Sequence, residues 1–126
     1  MLEVVAQSLR RHGHEVARLA VGASWPEVGR SVGEAVASGE AEAGVVCCWT
    51  GTGVTIAANK VPGVRAALCV DAETARGARR WNDANVLALS LRIVSEPLAG
   101  EILEAFLAAD ADPGEAETIA PVERAR

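Results

Sequence analysis

A thiol followed by a glycine-rich turn is the feature of this sequence most able to do chemistry. Cys48 closes a short apolar run, and Thr50, Gly51 and Gly53 follow it closely. The apolar run predicts a strand buried on both faces, and the residues after Gly53 predict a helix start. In an open α/β sheet, strand ends face helix N-termini, whose backbone N–H groups bind small anions. The stretch therefore predicts a site for a small anionic ligand beside a reactive side chain.

Each part of this stretch has two interpretations. At a strand end near a helix N-terminus, Cys48 has a lowered thiol pKa and its thiolate can act as a base or nucleophile. A free cysteine is more often a small buried apolar residue, which is what we expect of Cys47 and Cys69. The glycine turn either holds a phosphate or is only a tight turn, because it fits neither the dinucleotide fingerprint nor the P-loop.

Polar residues later in the chain also allow two interpretations. The fourth predicted helix ends in a mostly polar stretch of the sequence. The residues of interest there are Arg76, Arg79, Arg80, Trp81, Asn82 and Asp83. Basic residues there complement the helix dipole in any protein, and the last two residues can be a simple turn. Arg92 lies just past the last predicted strand, where it either holds a phosphate through two hydrogen bonds or remains a surface residue.

Composition limits the classes of function. The chain has 126 residues, half of them hydrophobic, with a net charge of −5 and no basic run, so nucleic acid is not an expected partner. No apolar stretch approaches the length of a membrane span and no signal-peptide pattern is present, so a membrane is not expected either. Three cysteines without framework spacing indicate free thiols in a reducing cytoplasm. The lack of ligand spacing argues against a metal.

The order of predicted elements is that of a parallel sheet. Helices are predicted over residues 2–11, 24–38, 54–59, 71–80 and 95–109, and strands over residues 14–21, 44–48, 64–70 and 85–91. This alternation predicts a three-layer α/β/α Rossmann-like fold in flavodoxin-like strand order, with right-handed crossovers. Residues 1–109 form the domain, and the tail, residues 110–126, is expected to reach out from the core without adding to it.

The chain begins on a helix, whereas a doubly wound sheet normally begins with a central strand. A missing central strand would leave unpaired edges inside the sheet, which is costly. We therefore expect either an in-frame strand of about ten residues encoded upstream of Met1, or another element in its place.

The stretch CCWTGTGVTIAANKVPGVRAALCVDAETARGARRWNDANVLALSLRIV, residues 47–94, resembles one family. It is similar to the core of the ribose-5-phosphate isomerase B family, which includes galactose-6-phosphate isomerase subunits. The similarity rests on the family's Cys-Gly-Thr-Gly, Ala-Ala-Asn-Lys, Pro-Gly and His-Asn-Asp-x-Asn motifs. It implies interconversion of an aldose and a ketose phosphate through an enediolate, without metal or organic cofactor.

The resemblance implies roles around the thiol. Cys48 matches the family's proton-transferring base, and Thr50 matches the threonine beside it. Another branch of the family uses a glutamate where this chain has Val54, which leaves Cys48 as the base. Gly51 and Gly53 match the loop whose backbone holds the substrate and stabilises the enediolate oxygen.

The resemblance also implies residues that bind substrate farther along the chain. Asn82 matches an asparagine that hydrogen-bonds sugar oxygens, and Arg92 matches an arginine that reaches the phosphate, commonly across a dimer interface. Further phosphate-binding arginines lie in the family's C-terminal segment, where Arg124 or Arg126 are candidates. A homodimer or homotetramer is expected.

Two residues and one element depart from the family pattern. Trp81 replaces the histidine that opens the sugar ring, and an indole cannot exchange a proton. Trp49 replaces a glycine that keeps the pocket open, and the family's first strand with its Asp-His pair has no counterpart. Trp49 and Trp81 are expected to enter one pocket, which indicates a different or smaller ligand, such as one that needs no ring opening.

Three functions follow from these residues. The leading hypothesis is a divergent sugar-phosphate isomerase with Cys48 as base. The alternative is a non-catalytic phosphosugar-binding protein or a partner subunit of a hetero-oligomeric isomerase. The third is a truncated product that folds only with a partner.

Overall fold

The computed structural model of the protein describes residues 1–124. These residues form three strands, six helices and one short 3-10 turn. The strands are β1 (Gly44–Cys48), β2 (Ala66–Leu68) and β3 (Val86–Ser90). The helices are α1 (Leu2–Arg11), α2 (Trp25–Ala37), α3 (Thr52–Asn59), α4 (Ala72–Asn82), α5 (Glu96–Ala108) and α6 (Ala116–Arg124), and the 3-10 turn is Pro113–Glu115.

Two of the helices begin at side-chain caps. The Asp71 carboxylate accepts the backbone N–H of Thr74 at 2.7 Å before α4. The Ser95 hydroxyl accepts the N–H of Leu98 at 3.3 Å before α5. Such bonds satisfy N–H groups that have no partner in the first helical turn. The helix starts predicted at these two residues are confirmed.

The three strands form one parallel sheet in the order β1-β3-β2. Gly44 pairs with Val86, Cys48 pairs with Ser90, and Ala66 also pairs with Val86. The parallel sheet is confirmed, but the flavodoxin-like order is wrong, because it would place these strands in chain order. All five residues of β3 are buried, whereas those of β2 are half-buried. The most fully buried strand therefore takes the central position.

Helices cover both faces of the sheet, so the three-layer architecture is confirmed. On one face, α2 and α3 lie over a core that includes Val46, Val54 and Ala58. On the other face, α1, α4 and α5 lie over a core that includes Leu87 and Phe106. Among the described residues, no helix combines the length and the apolar character needed to cross a membrane.

The strand predicted over residues 14–21 is wrong, since this segment forms only turns and unpaired chain. The segment and β1 line the same groove, whose volume is about 1150 Å³. Among the described residues, β1 pairs only with β3, and the groove keeps residues 14–21 from pairing with its other edge. The N–H of Gly44 bonds the Asn85 carbonyl at 3.0 Å, toward β3. Strand alternation therefore turns the N–H groups of Val45 and Cys47 toward the groove.

The tail adds no buried residue between positions 110 and 123. The Glu123 carboxylate pairs with the Arg65 guanidinium and accepts the N–H of Gly63 at 3.2 Å. Arg65 also contacts the Asp83 carboxylate at 3.3 Å. These polar contacts hold α6 against the amino ends of the strands. Of the two tail arginines considered for phosphate binding, Arg126 and the side chain of Arg124 lie outside the described residues.

Candidate active site

The cysteine loop, which we define as residues 48–53, connects the end of β1 to the start of α3. Its turn depends on Gly51, which is buried and has a left-handed φ of 78°. A Cβ atom at this position would lie 2.6 Å from Leu68 Cδ1 and 3.0 Å from the carbonyl carbon of Leu89. Only glycine fits both the dihedral angle and the space. The tight turn predicted from the sequence is confirmed.

The turn brings backbone N–H groups to the Cys48 thiol. Burial works to raise the pKa of Cys48, but hydrogen bonds from the N–H groups of Val54, Gly51, Gly53 and Thr50 outweigh burial and lower it. The N–H groups that begin a helix have no intrahelical partner, which leaves them free to stabilise a thiolate. The lowered pKa expected of Cys48 is confirmed; its role as a base is a proposal taken up below.

The other two cysteines differ from Cys48 in the direction of the pKa shift. Burial raises the pKa of Cys47, although the positive chain terminus opposes that effect. Burial, together with the nearby carboxylate of Asp71, raises the pKa of Cys69 to about 11. Both residues pack in or against the apolar core beneath α4 and α5, as expected. Cys48 is therefore the thiol most readily ionised.

Hydroxyl groups line the exposed side of the cysteine loop. Thr50 Oγ1 and Thr52 Oγ1 lie 2.8 Å apart and share a hydrogen bond. Thr55 donates its hydroxyl to the Gly51 carbonyl at 2.6 Å, which ties the loop to the first turn of α3. Thr50 and Thr52 are exposed, so their hydroxyls are accessible to a ligand.

Arg92 belongs to the same edge of the sheet as the cysteine loop. Its backbone N–H donates to the Trp49 carbonyl at 3.0 Å, and the N–H of Leu91 donates to the Cys48 carbonyl at 3.0 Å. The Ser90 hydroxyl also donates to the Trp49 carbonyl, at 3.2 Å. The turn after β3 is therefore fastened to the loop after β1. The Arg92 side chain is exposed beside this junction.

Trp81 and Asn82 lie at the opposite edge of the sheet. They end α4, which leads to the amino end of β3, whereas Cys48 lies at the carboxyl end of β1. A five-residue strand separates these edges by about 13 Å at the usual rise per residue. Within one chain, Trp49 and Trp81 therefore do not enter one pocket, contrary to expectation. Trp81 instead folds back over Gly77, where a Cβ would lie 2.8 Å from the ring.

Trp25 lies against the cysteine loop, although the sequence alone does not single it out. A Cβ atom on Gly53 would lie 2.8 Å from Trp25 Cδ2 and 2.9 Å from Cε3, so the indole covers the glycine backbone. The available signal was the spacing of Trp25, Gly29 and Gly33, which places all three on one face of α2.

Metal ligands do not cluster around this loop. Within residues 1–124, no three His, Cys, Asp or Glu side chains are grouped closely enough to hold a metal ion. Besides the groove beside β1, a hollow of about 580 Å³ lies between α2 and α3 and is lined by Glu27, Arg30 and Lys60 among others. The cysteine loop is an open surface site.

The fold and loop together define a class of protein: an α/β domain that presents an activated thiol and an arginine at the carboxyl edge of a parallel sheet. A sequence profile described as Ribose/Galactose Isomerase matches residues 1–121. The chain belongs to this family.

Individual relatives carry different names within the family. The chain is 41% identical over 113 residues to a galactose-6-phosphate isomerase subunit of Clostridium acetobutylicum, and covers 65% of it with 86% of its own length. It is 41% identical over 90 residues to a D-erythrulose-4-phosphate isomerase of Pectobacterium atrosepticum, covering 59% of it with 71% of its own length. The chain thus spans less than two thirds of the length of these two relatives.

A solved structure resembles the fold over nearly the whole chain. The ribose-5-phosphate isomerase B of Clostridium thermocellum is 39% identical and superposes with a TM-score of 0.92. The superposition covers 97% of this chain and 86% of that one. The Rossmann-like α/β fold predicted from the alternation of helices and strands is confirmed.

Proposed function

We propose that this protein interconverts the aldose and ketose forms of a small phosphorylated sugar, with Cys48 as the base. The observation that carries the proposal is the set of backbone N–H groups that lowers the Cys48 pKa. The thiolate removes the proton from the carbon next to the carbonyl, and the electron pair forms the enediolate double bond. The thiol then returns the proton to the former carbonyl carbon, while a proton moves between the two oxygens.

Arg92 supplies the positive charge for the phosphate. The hydrogen bonds between its turn and the cysteine loop hold the two turns together without using the guanidinium. The exposed guanidinium is free to form two parallel bonds with phosphate oxygens. The hydroxyls of Thr50 and Thr52, which lie 2.8 Å apart, are suited to hydrogen bonding with sugar oxygens.

The substrate we favour is a four-carbon sugar phosphate. Trp81 stands where the resemblance places a ring-opening histidine, and an indole cannot transfer that proton. A sugar phosphorylated on its fourth carbon has no hydroxyl there to close a five-membered ring, so it needs no ring opening. The similarity to the D-erythrulose-4-phosphate isomerase of P. atrosepticum supports this choice.

A second copy of the chain completes the site in this proposal. Trp81 and Asn82 lie at the sheet edge opposite Cys48 in their own chain. They can contact a ligand bound at the cysteine loop only if another copy presents them. A homodimer is therefore the smallest assembly in which all the predicted substrate-binding residues meet.

The second candidate function is phosphosugar binding without catalysis, alone or as a partner subunit. The two tryptophans favour it, because Trp81 lacks the acid–base chemistry of a histidine and Trp49 adds bulk beside the thiol. Both functions use the same loop, so a binding assay alone cannot separate them.

The two functions are distinguished by measuring turnover and the shift in melting temperature on the same set of proteins. D-Erythrulose 4-phosphate and D-ribose 5-phosphate are offered to the wild type, to Cys48→Ala and to Cys47→Ala as the matched control. An isomerase loses turnover in Cys48→Ala by about a hundredfold or more and keeps it in Cys47→Ala. A binding protein turns over neither sugar but gains melting temperature with one of them. A folded wild type with neither response contradicts both functions.

A further inference from the structure

The contact between Trp25 and Gly53 joins two helices at the point where the thiol is activated. The indole lies so close that a Cβ on Gly53 would be 2.8 Å from Cδ2, 2.9 Å from Cε3 and 3.2 Å from Cε2. All three atoms belong to the six-membered ring of the indole, and Cδ2 and Cε2 form the bond that it shares with the five-membered ring. The flat face of the indole therefore rests on the glycine backbone. Only a glycine allows so close an approach.

Glycines in α2 explain why Trp25 reaches this position. A Cβ on Gly29 would lie 2.6 Å from Ala57 Cβ, and one on Gly33 would lie 3.0 Å from Val61 Cγ2. The two helix backbones are therefore nearly in contact along this face. Trp25 lies four residues before Gly29 and projects from the same face. The close packing fixes the indole over the start of α3.

Gly53 also belongs to the backbone surroundings of the Cys48 thiol. Its N–H is among the backbone groups that lower the Cys48 pKa, together with those of Val54, Gly51 and Thr50. The ring therefore holds in place a residue that stabilises the thiolate. Trp25 is half-buried, at 50% exposed, and its contact with Gly53 displaces water from that part of the loop. Excluding water strengthens hydrogen bonds to a charged group.

The geometry points to Trp25 as a positioning residue for the candidate base: by packing on Gly53, it keeps the N–H groups at the start of α3 aimed at the Cys48 thiol. Trp25 acts through the loop and does not itself transfer a proton. Its effect on turnover rests on the proposed isomerase function, whereas its effect on the thiol does not.

The test measures Cys48 alkylation by iodoacetamide against pH in a Cys47→Ala background. Burial holds the pKa of Cys69 at about 11, which keeps it unreactive over the range used. We expect Trp25→Ala to raise the midpoint by about one pH unit, a tenfold loss of thiolate near neutral pH. Trp25→Phe keeps a flat ring over the glycine and restores most of the shift.

The matched control removes an exposed apolar side chain from α3 itself. Ile56 is 58% exposed, and Ile56→Ala is expected to leave the alkylation midpoint unchanged. An unchanged midpoint in folded Trp25→Ala overturns the proposal, as does an equal shift in Ile56→Ala. If Trp25→Ala does not fold, the alkylation midpoint is measured in Trp25→Leu, which keeps a bulky side chain but loses the flat ring.

Turnover provides the second readout. In an active wild type, Trp25→Ala lowers kcat by about tenfold, in line with the thiolate fraction, and changes KM little. A rise in KM with unchanged kcat would instead assign Trp25 to substrate contact and overturn the positioning role. If the wild type isomerises neither sugar, the proposed isomerase function fails, and the alkylation profile still decides the role of Trp25.

Discussion

The backbone N–H of Arg92 donates to the carbonyl oxygen of Trp49 at 3.0 Å, so the turn after the central strand is fastened to the cysteine loop. This bond does not involve the guanidinium, which remains exposed beside the loop. The backbone of Arg92 therefore fixes the position of the turn, whereas its side chain supplies the positive charge. A substitution of the side chain can remove the charge without releasing the turn.

Arg92→Gln is accordingly expected to weaken phosphosugar binding without destabilising the fold. Loss of a charge-assisted hydrogen bond raises KM or Kd by about tenfold or more. Titration calorimetry with a phosphosugar and a thermal melt check the two halves of the prediction. Arg76→Gln is the control, because Arg76 is exposed on α4, where it pairs with Glu73. Equal weakening in both variants would count against a phosphate role for Arg92.

The Cys48 thiol is expected to react at lower pH than the other two thiols. Its folded-state pKa is lowered by backbone N–H groups, so its thiolate is populated at pH values where Cys47 and Cys69, with raised pKa values, are still protonated. Mass spectrometry after timed alkylation measures each rate across pH. Unfolding in urea separates these N–H groups from the thiol, so the pH midpoint of Cys48 alkylation rises to that of an ordinary cysteine. A midpoint that does not move on unfolding would contradict this origin of the shift.

Gly51→Ala is expected to damage both the fold and the thiol. The left-handed φ of 78° and the 2.6 Å approach of Leu68 Cδ1 both oppose a Cβ, at a cost of about 1–3 kcal/mol in the free energy of unfolding. The loop then turns its N–H groups away from Cys48, and the alkylation midpoint rises. Gly100→Ala is the control, because a Cβ there meets nothing within 4 Å. Unchanged stability and reactivity in Gly51→Ala would show that the turn does not need glycine.

Amide hydrogens on the two sides of β1 are expected to exchange at different rates. The N–H groups of Val46 and Cys48 lie on the side paired with β3, whereas those of Val45 and Cys47 face the groove. Hydrogen exchange followed by NMR should therefore show faster exchange at Val45 and Cys47. Equal protection along β1 would mean that another strand covers this edge in solution.

The parallel sheet and the cysteine loop could be predicted from sequence because their signals are local. The apolar run ending at Cys48 and the glycines after it determine a strand, a turn and a helix start. The order of the strands could not be predicted in the same way. It depends on which strand is buried most deeply, and β3 takes the central place that chain order would give to β2.

The errors arise where a tertiary partner decides the outcome. Residues 14–21 have the composition of a strand, but strand formation depends on a neighbour, and the groove separates them from the unpaired edge of β1. The contact of Trp25 with Gly53 likewise depends on how closely α2 and α3 approach. The separation of Asn82 from Cys48 was foreseeable, since a helix between parallel strands ends at the amino edge of the sheet.

Proton transfer at Cys48 is the central claim, and solvent deuterium tests it most directly. D-Erythrulose 4-phosphate is incubated with the protein in heavy water, and NMR follows the carbons on either side of the transferred proton. An enediolate formed by a half-buried thiolate that still contacts solvent predicts isomerisation with deuterium incorporated at the carbon that receives the proton. Cys48→Ala should lose both isomerisation and incorporation, and Cys47→Ala should keep both. Isomerisation without deuterium, or undiminished incorporation in Cys48→Ala, would contradict the account.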